Sequence, residues 1–189
     1  MSFSSSPAPA DLITERLVLR SWTRGEVAAV LGESRSAHWA DDFPAEGDRV
    51  IAGLFDQHPA WFGAYGHRLI IEREGGLVVG SIGLFWPPSE GVVEIGYGIV
   101  PSRRGRGYAP EATEALAGFA LAAPDVHTLI ADVELSNPPS VRVLEKAGFH
   151  RWAGEGNVVR FRITRSDHQR GCPRGPRMPP ERGGGVASG

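Results

Sequence analysis

The sequence predicts one α/β domain: a central, mostly antiparallel sheet holding one splayed parallel pair of strands, with helices on both faces. Three features carry that reading. Apolar, β-branched stretches of strand length follow one another between residues 67 and 100, with only short turns between them. The last of them runs into a glycine loop, an alanine-rich helical stretch and a further strand, a unit that closes as a right-handed crossover between parallel strands. The chain has 189 residues, enough for one domain with a full core.

Residues 1–10 are rich in Ser, Pro and Ala and predict a flexible start. Glu15–Trp22 alternates as a strand does. Arg24–Leu31 and Asp48–His58 carry apolar residues at helical spacing: Val27, Val30 and Leu31 in one, Val50, Ile51, Leu54 and Phe55 in the other. His67–Glu74, Leu77–Trp86 and Val92–Val100 are predicted strands, turned at Gly75-Gly76 and at Pro87-Pro88-Ser89, and the first two suit a hairpin. Glu111–Ala123 is a helix with Ala112, Leu116 and Phe119 inward, ended by Pro124. Val126–Leu135 is a strand, and Pro139–Lys146 is a short helix closed by Gly148. Phe149–Trp152 and Val158–Thr164 complete the sheet. From Ser166 onward Arg, Pro and Gly replace apolar side chains, so the domain is drawn over 11–168 and 169–189 is read as a disordered tail.

The net charge of -2 creates no field that would draw nucleic acid or a membrane surface, and neither is expected as a partner. No apolar stretch approaches a membrane span, and Met1–Ser6 has neither a charged n-region nor an apolar h-region, which predicts a cytoplasmic protein. Cys172 is the only cysteine, so an internal disulfide and a cysteine zinc cluster are excluded. The histidines at 38, 58, 67, 127, 150 and 168 lack metal-ligand spacing, and no metal is expected.

The most telling segment is Glu94–Ala112, a strand, a basic glycine loop and a helix start. Gly105 and Gly107 let backbone amides approach a ligand closely. Pro110 suits a first helical turn, where a missing N–H costs nothing. Free amides and the positive end of the helix dipole make an anion site, and Arg103, Arg104 and Arg106 add charge. The loop is built for a phosphate or pyrophosphate. Tyr108-Ala109 stands where a P-loop needs Lys-Ser/Thr, and the glycine spacing does not fit a dinucleotide fingerprint.

Arg104-Gly105-Arg106-Gly107-Tyr108-Ala109 resembles the acyl-CoA loop of the GNAT acetyltransferases, Gln/Arg-x-x-Gly-x-Gly/Ala. Asn137-Pro138-Pro139-Ser140 through Glu145-Lys146-Ala147-Gly148-Phe149 resembles that family's Asn-x-x-Ser-x-x-x-x-Glu-Lys-x-Gly-Phe, one helix and one strand later. Thr14–Arg20 and Glu94-Ile95-Gly96-Tyr97 are similar to the RimJ/RimL-like branch, which acetylates N-terminal amines of ribosomal proteins. The resemblance spans roughly residues 12–165. It implies the GNAT fold, acetyl-CoA as co-substrate wedged between the parallel strands, and a primary amine as acceptor, either a protein N-terminus or a small molecule. It implies a monomer or homodimer.

That chemistry needs a neutral amine, which an alkyl ammonium becomes only when a base removes its proton. Glu94 is the candidate base, an acid in an apolar strand beside the loop, where burial would raise its pKa; Glu134 is the weaker alternative. Ser140 matches the family's hydroxyl and is the candidate proton donor to the leaving thiolate; its other reading is helix capping, together with Asn137. By resemblance Asn137 meets the pantetheine arm or the acceptor, and Ile99 and Val100 offer backbone groups to the pantetheine amides. Arg104, Gly105, Arg106, Gly107, Tyr108 and Ala109 hold the pyrophosphate; Arg142 and Lys146 either reach the 3′-phosphate or are surface residues of an amphipathic helix. Since Cys172 falls in the tail, no cysteine relay is expected, and transfer should be direct in a ternary complex.

The acceptor side is less legible. Trp39, Asp41, Asp42, Phe43, Glu46 and Asp48 form an aromatic and acidic group suited to a cationic amine, or else a solvent-facing loop with two core aromatics. Trp61, Phe62, Tyr65 and Trp86 either line the cleft or fill the core. A non-catalytic acyl-CoA-binding or regulatory module is the alternative from another class; it would keep the loop without needing Glu94 or Ser140.

Overall fold

The protein's computed structural model describes residues 9–32 and 34–171. Eight strands form one sheet: β1 (Leu12–Ile13), β2 (Leu17–Ser21), β3 (His67–Glu72), β4 (Val78–Leu84), β5 (Val92–Ile99), β6 (Thr128–Glu134), β7 (His150–Glu155) and β8 (Val158–Thr164). Their order across the sheet is β1-β2-β3-β4-β5-β6-β8-β7. Every neighbouring pair is antiparallel except β5 and β6, which are parallel as the strand–helix–strand unit requires. Among the described residues, five α-helices surround the sheet: α1 (Arg24–Leu31), α2 (Glu46–Leu54), α3 (Tyr108–Leu121), α4 (Pro138–Lys146) and α5 (Arg165–Gly171).

The two faces are distinguished by what β5 presents. Ser81 of β4 pairs directly with Gly98 of β5, so both point to one face, and the Ser81 hydroxyl meets Asp48 of α2 there. Tyr97 points the other way, and its hydroxyl donates to the Ser140 carbonyl of α4 at 3.1 Å. Helix α3 packs on the α4 side. Its Ala112, Leu116, Ala117 and Ala120 are buried, the small alanines letting the helix lie close to the sheet. Phe119, expected inward, is only half-buried and stacks on Tyr65 at 4.9 Å.

Several expected boundaries move. Helix α2 begins at Glu46 rather than Asp48 and stops at Leu54, and the following Pro59–Phe62 is a short 3₁₀ turn. Helix α3 starts at Tyr108, so Pro110 does lie within its first turn. Of the stretch read as flexible, only residues 9 and 10 are described, and there the carbonyl of Ala10 accepts a hydrogen bond from the buried Arg68 at 3.0 Å. Helix α5 carries regular structure through the boundary drawn at 168/169. The rest of the expected tail, with Cys172, lies outside the described residues.

Candidate active site

Two cavities meet on β5. The first, of about 440 Å³, opens between β5, the α3 start and α4. It exists because the parallel pair is short. Val92, Val93 and Glu94 pair with Thr128, Leu129 and Ile130, and there the ladder stops. Beyond it β5 continues to Ile99 while β6 follows β8, which leaves a wedge whose β5 side presents backbone polar groups.

At the mouth of the wedge stands the glycine loop. Gly105 and Gly107 have φ of 75° and 80°, a region that favours glycine. Gly107 is the N-cap of α3 and offers no side-chain cap, so the amides of the first turn remain available to an anion. The loop is braced from the residue before β2. The Arg16 guanidinium donates to the carbonyls of Arg106 (2.7 Å) and Gly107 (3.4 Å) and pairs with Glu111 of α3 at 2.6 Å. Thr14 also donates to Glu111, at 2.6 Å. Burial works against the Glu111 charge, but the hydrogen bonds from Thr14 and Arg16 hold its carboxyl below the usual range. An extended ligand carrying a pyrophosphate fits this cradle and wedge.

Most of the expected cofactor residues come together here. Ile99, Arg104, Gly105, Gly107, Tyr108, Ala109 and Asn137 line the first cavity, with Arg142 and Lys146 at its α4 wall. Two do not. Val100 is buried, its N–H donates to Val79 and its carbonyl accepts from Arg103, so it has no backbone group left to offer. Arg106 is exposed and outside the lining, and its contribution is the carbonyl held by Arg16. Ser140 is half-buried and lines the cavity. Its N–H is capped by the Asn137 side chain at 3.3 Å, while its hydroxyl makes no hydrogen bond among the described residues.

The second cavity, of about 490 Å³, lies on the opposite face of β5, between that strand and α2. Gly96 and Gly98 form its floor, Ala45, Val50 and Ile51 its apolar wall, and Asp48, Ser81 and His67 its polar end. Tyr97, Gly98, Ile99 and Arg104 line both cavities. Of the acidic and aromatic group expected at the acceptor, only Glu46 and Asp48 line the cavity. Trp39 and Phe43 are core residues in edge-to-face contact, and Asp42 ties its loop to Ser102. Trp61 is also buried, and Tyr65 stacks between Trp86 and Phe119.

Glu94 departs from its expected setting. It is exposed rather than buried and lines neither cavity. It shares the face of Gly96 and Gly98, and the Phe85 ring covers Gly96, the next residue on that face. Its pKa is nonetheless raised, first by partial desolvation and then by the negative charge of Asp132, with Arg160 opposing. Glu134 is likewise exposed, hydrogen-bonded to Ser136.

Three site residues escaped the sequence reading. Tyr97 touches both cavities, and burial pushes its phenol up to about 12, so it stays protonated. Ser81 and His67 belong to the second cavity, and burial lowers His67 to about 4, so it is neutral. The alternation of Glu94-Ile95-Gly96-Tyr97-Gly98 was the available signal for Tyr97, since it sets that ring on the face opposite two glycines. Nothing local marks Ser81 or His67.

Comparison with known proteins bears on the family and the fold. Residues 16–150 match the family model described as the acetyltransferase (GNAT) domain. Two uncharacterized N-acetyltransferases of Bacillus subtilis, YjdG and YnaD, are 35% and 32% identical over 82 residues, 43% of this chain. The chain's match spans about half the length of these curated relatives. A GNAT-family acetyltransferase structure from Bacillus anthracis aligns with a TM-score of 0.58 at 22% identity, covering 83% of this chain and 99% of that one. Spermidine N-acetyltransferase from Vibrio cholerae, in complex with CoA and spermine, aligns with a TM-score of 0.59 at 17% identity, covering 82% and 99%. At such identities the structural likeness establishes the fold.

Proposed function

The chain belongs to the GNAT acetyltransferase family, and on that premise we propose that it transfers an acetyl group from acetyl-CoA directly to a primary amine, in a ternary complex. One observation carries the reading: the parallel pair parts after three residue pairs, beside a glycine loop with uncapped amides and in contact with a second cavity across the same strand. The first cavity takes the co-substrate and the second takes the amine. Nucleophile and acyl carbon then meet at Tyr97–Ile99, where both cavities share their lining.

Acetyl-CoA supplies the activated acyl carbon. The protein's part is positional and electrostatic. The amides of residues 105–109 and the α3 dipole hold the pyrophosphate, and Arg142 and Lys146 extend the positive wall toward the 3′-phosphate. Unpaired backbone groups of β5 orient the pantetheine arm. Glu94 takes the ammonium proton through solvent, since Phe85 covers Gly96 between it and the cavity, and its raised pKa suits it to accept. The amine nitrogen bonds to the acyl carbon as the carbon–sulfur bond breaks; the Ser140 hydroxyl hands its proton to the sulfur and is reprotonated by the second proton that the nitrogen loses, so coenzyme A leaves as the thiol and the product is the neutral amide. Thr14–Arg20 and Glu94–Tyr97 favour the RimJ/RimL-like branch, with a protein N-terminal amine among the acceptors. No helix among the described residues is long and apolar enough to cross a membrane, consistent with a cytoplasmic place of work.

The test is thiol release from acetyl-CoA across a panel of primary amines, alongside calorimetry of acetyl-CoA binding. Binding with amine-dependent thiol release is the expected result. Binding without release for any amine would favour the non-catalytic acyl-CoA module. Unchanged affinity in a folded Gly107→Trp protein would remove the loop assignment.

A further inference from the structure

The second cavity contains a buried carboxyl group that makes no ion pair among the described residues. Asp48, in the first turn of α2, is 3% exposed. One carboxylate oxygen accepts from the Ala45 N–H at 2.9 Å and the other from the Ser81 hydroxyl. It makes no ion pair among the described residues; the guanidinium of neighbouring Arg49 is turned to the Val30 carbonyl at 3.1 Å. A buried carboxylate without a cation is costly, and two neutral donors offset only part of that cost. Beside it, in the same cavity, His67 is 2% exposed and its Nε2 has no hydrogen-bond partner. His67 is neutral, so it is not the missing cation.

The rest of the cavity limits what that cation is. Its wall is apolar and its floor has no side chains, while Arg104 holds a positive charge at the side shared with the first cavity. Glu46 is exposed, where solvent screens it. Ser81 stands directly opposite Gly98, so the Asp48 carboxylate is one hydroxyl away from the strand position where the two cavities meet.

We propose that Asp48 anchors the acceptor's ammonium group, and that the acceptor carries a single positive charge on a compact apolar body rather than a chain of charges. The proposal rests on the amine-acetylation reading above. A second cation along the cavity would find only the solvent-screened Glu46 as a partner and would otherwise meet an apolar wall and Arg104. The same chemistry is found in a small free monoamine and in the first residue of a peptide with a small side chain.

Ligand-observed NMR with isobutylamine and isobutanol as probes tests the anchor without turnover. Isobutylamine binds the wild-type protein and isobutanol does not. Asp48→Asn keeps the shape and loses the charge: its amide oxygen still accepts from the Ala45 N–H, while its NH2 donates to the Ser81 oxygen, reversing that hydrogen bond. It weakens isobutylamine binding roughly tenfold or more, with acetyl-CoA affinity unchanged. Ile51→Trp fills the cavity from the wall and does the same, which keeps the test decisive if Asp48→Asn fails to fold. In kinetics the loss appears in the KM for the amine. Comparing kcat/KM for isobutylamine and for a hexapeptide with a free alanine N-terminus distinguishes the two sources. Equal binding of isobutanol, unchanged binding in Asp48→Asn, or a preference for spermidine over isobutylamine would overturn the proposal. Charge-dependent binding without thiol release from any amine would keep the anchor and reject the transferase reading.

Discussion

Glu94 and Asp48 are carboxylates beside the same strand, yet their surroundings differ. Glu94 is in water next to Arg160 and Asp132, whereas Asp48 is buried against Ser81. Glu94 can therefore exchange protons with solvent during turnover. Replacing it by Gln lowers kcat roughly 10²-fold at neutral pH if it is the base. The loss shrinks as pH rises, because free amine becomes plentiful, so paired pH–rate profiles check the claim. A wild-type rate in Glu94→Gln would hand the role to water or to Glu134. His67 gives a stability prediction. Its folded pKa of about 4 lies below its unfolded value of about 6.5. The unfolded chain binds the proton first, so stability present above pH 6.5 is lost as pH falls toward 4, by up to about 3 kcal/mol. Burial raises the pKa of Asp48, which acts in the opposite direction, so the effect is read as a difference. Thermal melts of His67→Gln should show a flatter slope between pH 6.5 and 4 than wild type. The motifs that hold Glu94 and Ser140 are local and stand out in the sequence; Ser140 does line the first cavity, whereas the exposure of Glu94 outside both cavities did not follow from its motif. His67 and Ser81 were not, because what makes them site residues is the packing of α2 over β4, far apart in sequence.

The glycine loop with its helix is the element most legible in advance, since its function depends on local conformation. Positive φ at Gly105 and Gly107 is a property of four or five adjacent residues. A side chain at 107 costs about 1–2 kcal/mol in the left-handed region, and its Cβ would stand 3.2 Å from the Arg16 guanidinium. Gly107→Ala should therefore weaken acetyl-CoA binding roughly tenfold by calorimetry. The Arg16 brace was not legible, because it joins the residue before β2 to the glycine loop across 90 residues of sequence. Helix α5 was missed for another reason. Its seven residues, Arg-Ser-Asp-His-Gln-Arg-Gly, show no apolar face, and composition alone reads as tail. The overlooked signal was Thr164-x-x-Asp167, a capping pair whose side chains satisfy each other's backbone N–H groups. Arg165 then donates to the carbonyls of Leu121, Ala123 and Val126 beyond the end of α3. Arg165→Ala leaves those carbonyls without that donor and should destabilise the protein by about 1–3 kcal/mol in denaturant unfolding.

At the scale of the molecule, one geometric fact organises the rest: two cavities approach one strand from opposite faces and share its Tyr97–Ile99 stretch. The sequence anticipated the parallel pair and its wedge. It could not show the second cavity, which arises only when α2 folds back over the Gly96 and Gly98 face. On the proposed reading, both substrates would occupy the protein at once, each entering from its own side. A relay through the protein would instead need a nucleophile reachable from both. Among the described residues none is a cysteine, the single Cys172 lying outside them. Of the hydroxyl-bearing residues, Tyr108 and Ser140 line the first cavity and Ser81 the second; only Tyr97 lines both, and its phenol, pushed up to about 12, is a poor nucleophile at neutral pH. Varying acetyl-CoA at several fixed amine concentrations should therefore give reciprocal plots that intersect, and Cys172→Ala should leave them in place. Parallel lines, or an acetylated protein recovered in the absence of amine, would mean that the acyl group rests on a side chain between the two half-reactions. The two cavities would then be stations on a relay rather than partners in one direct encounter.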